Sequence, residues 1–169
     1  MTIIVETGAI VTGANSYASR ADYIAYAASV GVTVADDATA DVQLIKAAAF
    51  IDSHERRLIG YRKTRDQPMS YPRDELVIES WEWQSNEIPR QVILCQLSTA
   101  LDIKAGIDPF NPPANPCRAA RREKIDDAVE VEYFGSDAGA KMSRDSTSRA
   151  MLNTLLKNAG MFAIPLVRA

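Results

Sequence analysis

One histidine and two cysteines in 169 residues leave little from which to build a reactive centre. Cys95 and Cys117 show neither metal-ligand nor redox spacing, so they read as reduced thiols of a cytosolic protein, with Cys95 buried. With only His54 available, a Ser-His-Asp triad has a single possible base, and no serine sits in a nucleophile-elbow pattern. No glycine-rich phosphate loop occurs either. The chain has no apolar run of about 18 residues, so no membrane span is expected. The N-terminus lacks a basic region followed by an apolar core, so no signal peptide is expected. Internal repeats and low-complexity tracts are missing too. The expectation is a protein without enzymatic turnover, cofactor or metal.

What is present suits a globular chain with one main core, at 47% apolar and 24% charged residues. Net charge is −3, so any nucleic-acid role requires a local basic patch. One stretch qualifies. Residues 56–73, RRLIGYRKTRDQPMSYPR, hold Arg56, Arg57, Arg62, Lys63, Arg65 and Arg73 against the single acid Asp66, with Gly60, Pro68, Pro72, Tyr61 and Tyr71 among them.

Taken in order, residues 1–15 are β-prone, with a short strand expected at Ile3–Glu6. Ser19 with Asp22 forms an N-cap pattern that opens a helix running to about Ser29, stopped by Gly31. Asp36, Asp37 and Thr39 begin a second helix over Ala40–Leu58, with Leu44, Ile45, Ala48, Ala49 and Ile51 on its core face. Leu76–Ile78 and the Trp81-Glu82-Trp83 triplet predict a loop with extended character. Ile88-Pro89 opens a third helix, apolar on most sides and therefore central, which ends at Gly106. Four prolines make 107–117 irregular. Arg121–Ile125 and Ala128–Phe134, flanking Asp126-Asp127, alternate as a β-hairpin with Glu130 and Glu132 on its wet face. Residues 135–146 read as a linker. A last helix follows over Arg149–Asn158, and then an apolar tail. The fold class expected is mainly α: a small bundle of three principal helices plus a β-hairpin, and a C-terminal helix with an extended arm. Residues 1–134 would form the bundle domain, and 135–169 the linker, short helix and docking arm.

Most polar candidates have plain explanations. Helical spacing puts His54 beside Phe50, Ile51, Arg57 and Leu58 with no carboxylate on its face, so packing at the edge of an apolar stripe outweighs catalysis. Asp36-Asp37 and Asp126-Asp127 suit a helix cap and a turn better than a metal site. The basic segment allows two uses. Arginine with interleaved tyrosine serves single-stranded nucleic acid, with guanidinium on phosphate and ring on base. The same arginines could instead fork onto the acids of 75–87, or onto Glu130 and Glu132 of a neighbouring copy. The residues alone place the bracing use ahead.

Several motifs recur in a familiar order: Ser16-Tyr17, Tyr23 and Tyr26 in the first helix, Ile51-Asp52, Gly60-Tyr61-Arg62, Gln67, Tyr71-Pro72-Arg73 and Ile88-Pro89. Arg122-Glu123-Lys124-Ile125 leading to Val129-Glu130-Val131-Glu132-Tyr133 completes them. From about Gly13 to the tail, the chain resembles a tailed-phage family labelled DnaT-like single-stranded DNA-binding protein, whose members also look like head–tail connector adaptors, or head completion proteins. Tyr71 departs from the tryptophan expected in its triplet, and Trp81-Glu82-Trp83 looks inserted. The adaptor resemblance implies a virion protein forming a homo-oligomeric ring, a dodecamer by analogy, beneath the portal protein. The ring would touch tail or stopper proteins and pass double-stranded DNA without sequence readout, with no membrane partner. On that reading Arg57, Tyr61, Arg62, Arg65, Tyr71, Arg73, Glu130 and Glu132 form the subunit or portal contact. Met161, Phe162, Ile164, Leu166, Val167 and Arg168 form the docking arm. The family label implies single-strand binding through 56–73 instead, and stands as the alternative.

Overall fold

The computed structural model describes residues 2–111, the backbone of 123–125 and 129–131, and residues 147–157. Four α-helices and three two-stranded antiparallel ladders make up these residues, a mixture rather than the mainly helical architecture expected. Helix α1, Arg20–Ser29, is opened by a reciprocal capping box: Asp22 N donates to Ser19 Oγ and Ser19 N to Asp22 Oδ2. Helix α2, Ala38–Ser53, is capped by Asp37, which accepts from Thr39 N at 2.8 Å and Ala40 N at 3.3 Å. Helix α3, Arg90–Lys104, begins after Pro89 and packs against α1, α2 and helix α4, Thr147–Leu155. Its central place agrees with its nearly all-round apolar surface.

Leu44, Ala47, Ala48 and Ile51 form the buried stripe of α2, while Ala49 faces out. That helix also stops five residues earlier than the pattern suggests. Ser53 Oγ donates to Phe50 O at 2.6 Å and the His54 ring nitrogen lies 2.9 Å from the same carbonyl. A 3-10 turn, Glu55–Arg57, follows, and Leu58 becomes extended to bridge Leu156. Tertiary pairing with the end of α4 overrides helical propensity here. The last helix was expected in a trailing unit, yet Leu152, Leu155 and Leu156 lie in the same core as Ile51, Leu58 and Val92.

Gln96, fully buried, ties three parts together. It accepts from Tyr17 N at 2.9 Å and donates to Ser16 Oγ (2.7 Å) and Leu44 O (2.9 Å). At the N-terminus only one parallel bridge, Val5 with Ser16, stands where a strand was expected. The buried Glu6 carboxylate accepts from the amides of Gly8, Ile10 and Val11, each at 2.9 Å, and turns the chain away.

Strand β1, Tyr61–Arg62, pairs with β2, Arg73–Asp74; β3, Leu76–Ile78, pairs with β4, Trp81–Trp83. The tryptophan triplet is thus a strand of a hairpin. Strands β5, Glu123–Ile125, and β6, Val129–Val131, pair with Glu123 opposite Val131, a hairpin within the limits read from alternation. The side chain of Glu130, all of Glu132, the linker 135–146, Cys117 and the arm residues Met161, Phe162, Ile164, Leu166, Val167 and Arg168 lie outside the described residues. Among the described residues no helix is long and apolar enough to cross a membrane.

Candidate nucleic-acid interface

The basic segment divides into an inner and an outer set. Gly60, at φ +75°, lets the chain enter β1 where a Cβ would stand 2.5 Å from Asp74 O. Tyr61 then pairs with Asp74 and Arg62 with Arg73, and the residues between lack any longer ladder. Side chains supply the missing partners. Gln67 Nε2 donates to Met69 O at 2.8 Å and Pro72 O at 3.0 Å, while its Oε1 accepts from Thr64 N at 3.0 Å. Arg62 Nη2 donates to Gln67 O at 2.6 Å, and its Nε lies 2.9 Å from Glu55 Oε1, an ion pair whose N–H is not aimed along the contact.

Arg73 goes deepest, at 4% exposed. It donates to Ile59 O (2.8 Å), Gly60 O (2.9 Å) and Ser70 O (3.2 Å), with Tyr71 5.8 Å beneath its guanidinium. Among the described residues no carboxylate pairs with it, and burial lowers its pKa from the usual arginine value. Tyr71 is fully buried, edge-on to Tyr17 at 6.0 Å, with its own amide donating to Tyr17 Oη at 3.2 Å. Tyr17 donates to Asp52 Oδ1 at 2.5 Å, and Ser70 N donates to the same oxygen at 3.1 Å. Burial raises the Tyr71 and Tyr17 phenol pKa values and the Asp52 carboxyl pKa. Tyr71 and Arg73, expected at a subunit contact, are therefore interior groups. The loop needs them to satisfy its own backbone and fill the core.

Arg56, Arg57 and Arg65 make up the outer set, exposed and without an ion pair among the described residues; Lys63 is half-buried. Tyr61 is 61% exposed, and Lys157 Nζ sits 5.1 Å over its ring. The C-terminal end of α4 is fixed there by the main chain: Lys157 N donates to Arg57 O at 2.7 Å and Ile59 N to Leu155 O at 3.0 Å. On its other side Arg57 borders a cleft of about 480 Å³ walled by Phe50, His54, Phe110, Arg149 and Asn153. Phe110 is 56% exposed and edge-on to Phe50 at 5.5 Å; His54 meets the same ring at 4.8 Å. Phe110, the cleft, Arg57, Lys157 and Tyr61 thus follow one another as an aromatic–basic–aromatic strip.

Three of the neighbouring acids are engaged, while Asp74, opposite Tyr61 on β2, has no ion-pair partner among the described residues. Glu55 lies against Arg62, Asp52 accepts from Tyr17 and Ser70, and Asp108 accepts from Phe110 N at 3.0 Å; Asp66 is exposed. A larger groove of about 740 Å³ lies between the N-terminal segment and α1, but its one cation, Arg20, already pairs with Asp41 at 2.7 Å and Asp36 at 2.8 Å. Phe110, Lys157 and Arg149 were missed at the sequence level. Phe110 stands in a proline-rich connection, Arg149 on the remote helix α4 and Lys157 just past its end, so only the tertiary fold joins them to Arg57.

A protein-family model described as "Putative DnaT-like ssDNA binding protein" matches residues 1–169. No curated protein and no solved structure matches the chain. With the match running the full length, the chain belongs to this DnaT-like family.

Proposed function

We propose that this protein binds single-stranded DNA along the strip from Phe110 through Arg57 and Lys157 to Tyr61. The observation that carries this reading is two exposed rings flanking a run of cations. Unpaired bases stack on rings of any sequence, at about 1–3 kcal/mol per base, while guanidinium and ammonium groups take the phosphates. The family description points the same way. The net charge of −3 is no obstacle where the field is local, because binding depends on the charge facing the strand. The brace first favoured for this segment loses Tyr71 and Arg73 to the interior, whereas a strand needs only the outer set.

Fluorescence anisotropy with a labelled oligodeoxythymidine in a salt series tests this. Log affinity should fall linearly with log salt, by roughly 0.7 per phosphate neutralised. Arg57→Ala should reduce the slope by about that much, and Tyr61→Ala should weaken binding about fivefold or more at unchanged fold stability. No binding at low salt would sink the reading.

A second reading, a structural adaptor between phage head and tail, is favoured by one feature that DNA binding leaves unused. Trp81 is 76% exposed on a hairpin whose charged residues are all acids, a surface suited to protein rather than phosphate. Under it a ring of copies joins the portal protein to tail or stopper proteins and passes double-stranded DNA. Co-sedimentation with purified portal rings is its test, and failure to co-sediment removes it.

A further inference from the structure

Strands β3 and β4 form a two-faced hairpin. Leu76 and Ile78 are buried in the core, with Trp83 partly buried against it. Val77 and Glu82 stand opposite each other and exposed, and Trp81 overhangs at the tip. From Asp74 to Glu87 the chain carries five acids, Asp74, Glu75, Glu79, Glu82 and Glu87, and no lysine or arginine. None of the five has an ion-pair partner among the described residues. A large indole flanked in the chain by the unpaired carboxylates of Glu79 and Glu82 calls for a slot with aromatic walls and a cationic rim. The same molecule carries one: the cleft of about 480 Å³ between Phe50, Phe110 and His54, with Arg57 and Arg149 at its edges. Trp81 does not occupy the cleft of its own chain.

We infer that the hairpin of one copy seats Trp81 in the Phe110–Arg57 cleft of a second copy. Acids and a base are then paired across the contact, with Glu79 and Glu82 opposite Arg57. Hairpin and cleft are different surfaces, so each copy has one of each to offer and the contact propagates head to tail. A single aromatic anchor makes the association weak and concentration-dependent. Because the cleft also lies on the DNA strip, a strand and a neighbouring hairpin compete for it; this last consequence alone rests on the proposed DNA binding.

Sedimentation velocity on the full chain over a concentration series is the test. Wild type should shift from monomer to larger species as concentration rises. A hairpin variant (Trp81→Ala with Glu82→Gln) and a cleft variant (Phe110→Ala with Arg57→Glu) should each weaken association by more than about tenfold. Circular dichroism melts should match wild type, since all four side chains are exposed. Mixed in equal amounts, the two variants should form a one-to-one dimer that grows no further, because one retains only a cleft and the other only a hairpin. A monomer at every concentration, undiminished association of either variant, or no dimer on mixing overturns the inference. Unlabelled oligodeoxythymidine should dissolve wild-type assemblies. Assemblies that persist with DNA bound overturn the competition, whereas no DNA binding at all refutes the strand reading and leaves the head-to-tail contact standing on the DNA-free data.

Discussion

The basic segment 56–73 and the acidic hairpin 76–83 are adjacent in the chain and meet their backbone hydrogen-bonding needs in opposite ways. The hairpin pairs three residues against three, so its main chain needs little from its side chains and Trp81, Glu82 and Val77 point outward. The basic segment has a ladder of only two pairs, and the carbonyls of Ile59, Gly60, Gln67, Met69, Ser70 and Pro72 are met by Arg62, Gln67 and Arg73. Buried backbone groups must find partners. A segment short of ladder therefore draws its most versatile donors inward and leaves fewer for a ligand. Local charge density overstates the charge on offer, and the count that matters is what remains after the loop is satisfied.

The sharpest way to break this contrast is Arg73→Ala. The substitution strips partners from the carbonyls of Ile59, Gly60 and Ser70 in a buried site. At about 1–3 kcal/mol per unmet group, a loss of roughly 3 kcal/mol or more follows. That is a fall in Tm of about 6–12 °C for a chain of this size, readable by differential scanning fluorimetry. Arg73→Lys should recover little, since one ammonium cannot reproduce a fork aimed at three carbonyls. Trp81→Ala in the hairpin should leave Tm nearly unchanged, within about 0.5 kcal/mol. Equal effects at the two sites would remove the distinction.

Much of the helical frame is legible in the sequence because its signals are local. The Ser19–Asp22 capping box, the Asp37 cap, Pro89 before α3 and the apolar girth of α3 each act within a few residues. The site is less legible because its decisive contacts are distant. Nothing near Leu58 announces that Leu156 will pair with it and end α2 early, or that Phe110 will lean on Phe50. Arginine at 73 and arginine at 65 look alike in sequence, and only the path of the loop makes one interior and the other exposed. The β3–β4 hairpin was obscured for another reason. Its turn is Glu79-Ser80, without the glycine or asparagine that usually marks one.

That turn supplies a smaller test, this time on the hairpin. Glu79 and Ser80 have φ of +53° and +69°, a left-handed pair that side chains adopt at some cost. Ser80→Gly should stabilise by about 0.5–1 kcal/mol, raising Tm by roughly 1–4 °C, while oligonucleotide affinity stays constant. A lower Tm would mean that the Ser80 side chain makes a contribution its geometry does not reveal.

The smallest effect is one of pH, and it separates Asp52, behind the basic segment, from the acids that cap and pair at the start of α2. Asp41, hydrogen-bonded to Arg20, and Asp37, accepting the amides of Thr39 and Ala40, have pKa values below the usual carboxylate range. Their stabilisation is present above the unfolded carboxyl pKa of about 3.9 and is lost as pH falls through their folded values. Asp52 has the opposite sign. Burial raises its pKa, so the folded state holds that proton more tightly, and its contribution diminishes as pH rises through the folded value. In wild type the two tendencies oppose each other across the acid range. Asp52→Asn removes only the second, because Tyr17 Oη and Ser70 N both donate to Oδ1, an acceptor that asparagine keeps. The variant should therefore lose stability more steeply than wild type between about pH 5 and pH 3, measured by urea unfolding at each pH. It should be no less stable at neutral pH, where a half-buried carboxylate is no longer held charged. A shallower acid slope would mean that Asp52 is stabilised as its anion, the hydrogen bonds from Tyr17 and Ser70 outweighing the cost of its burial.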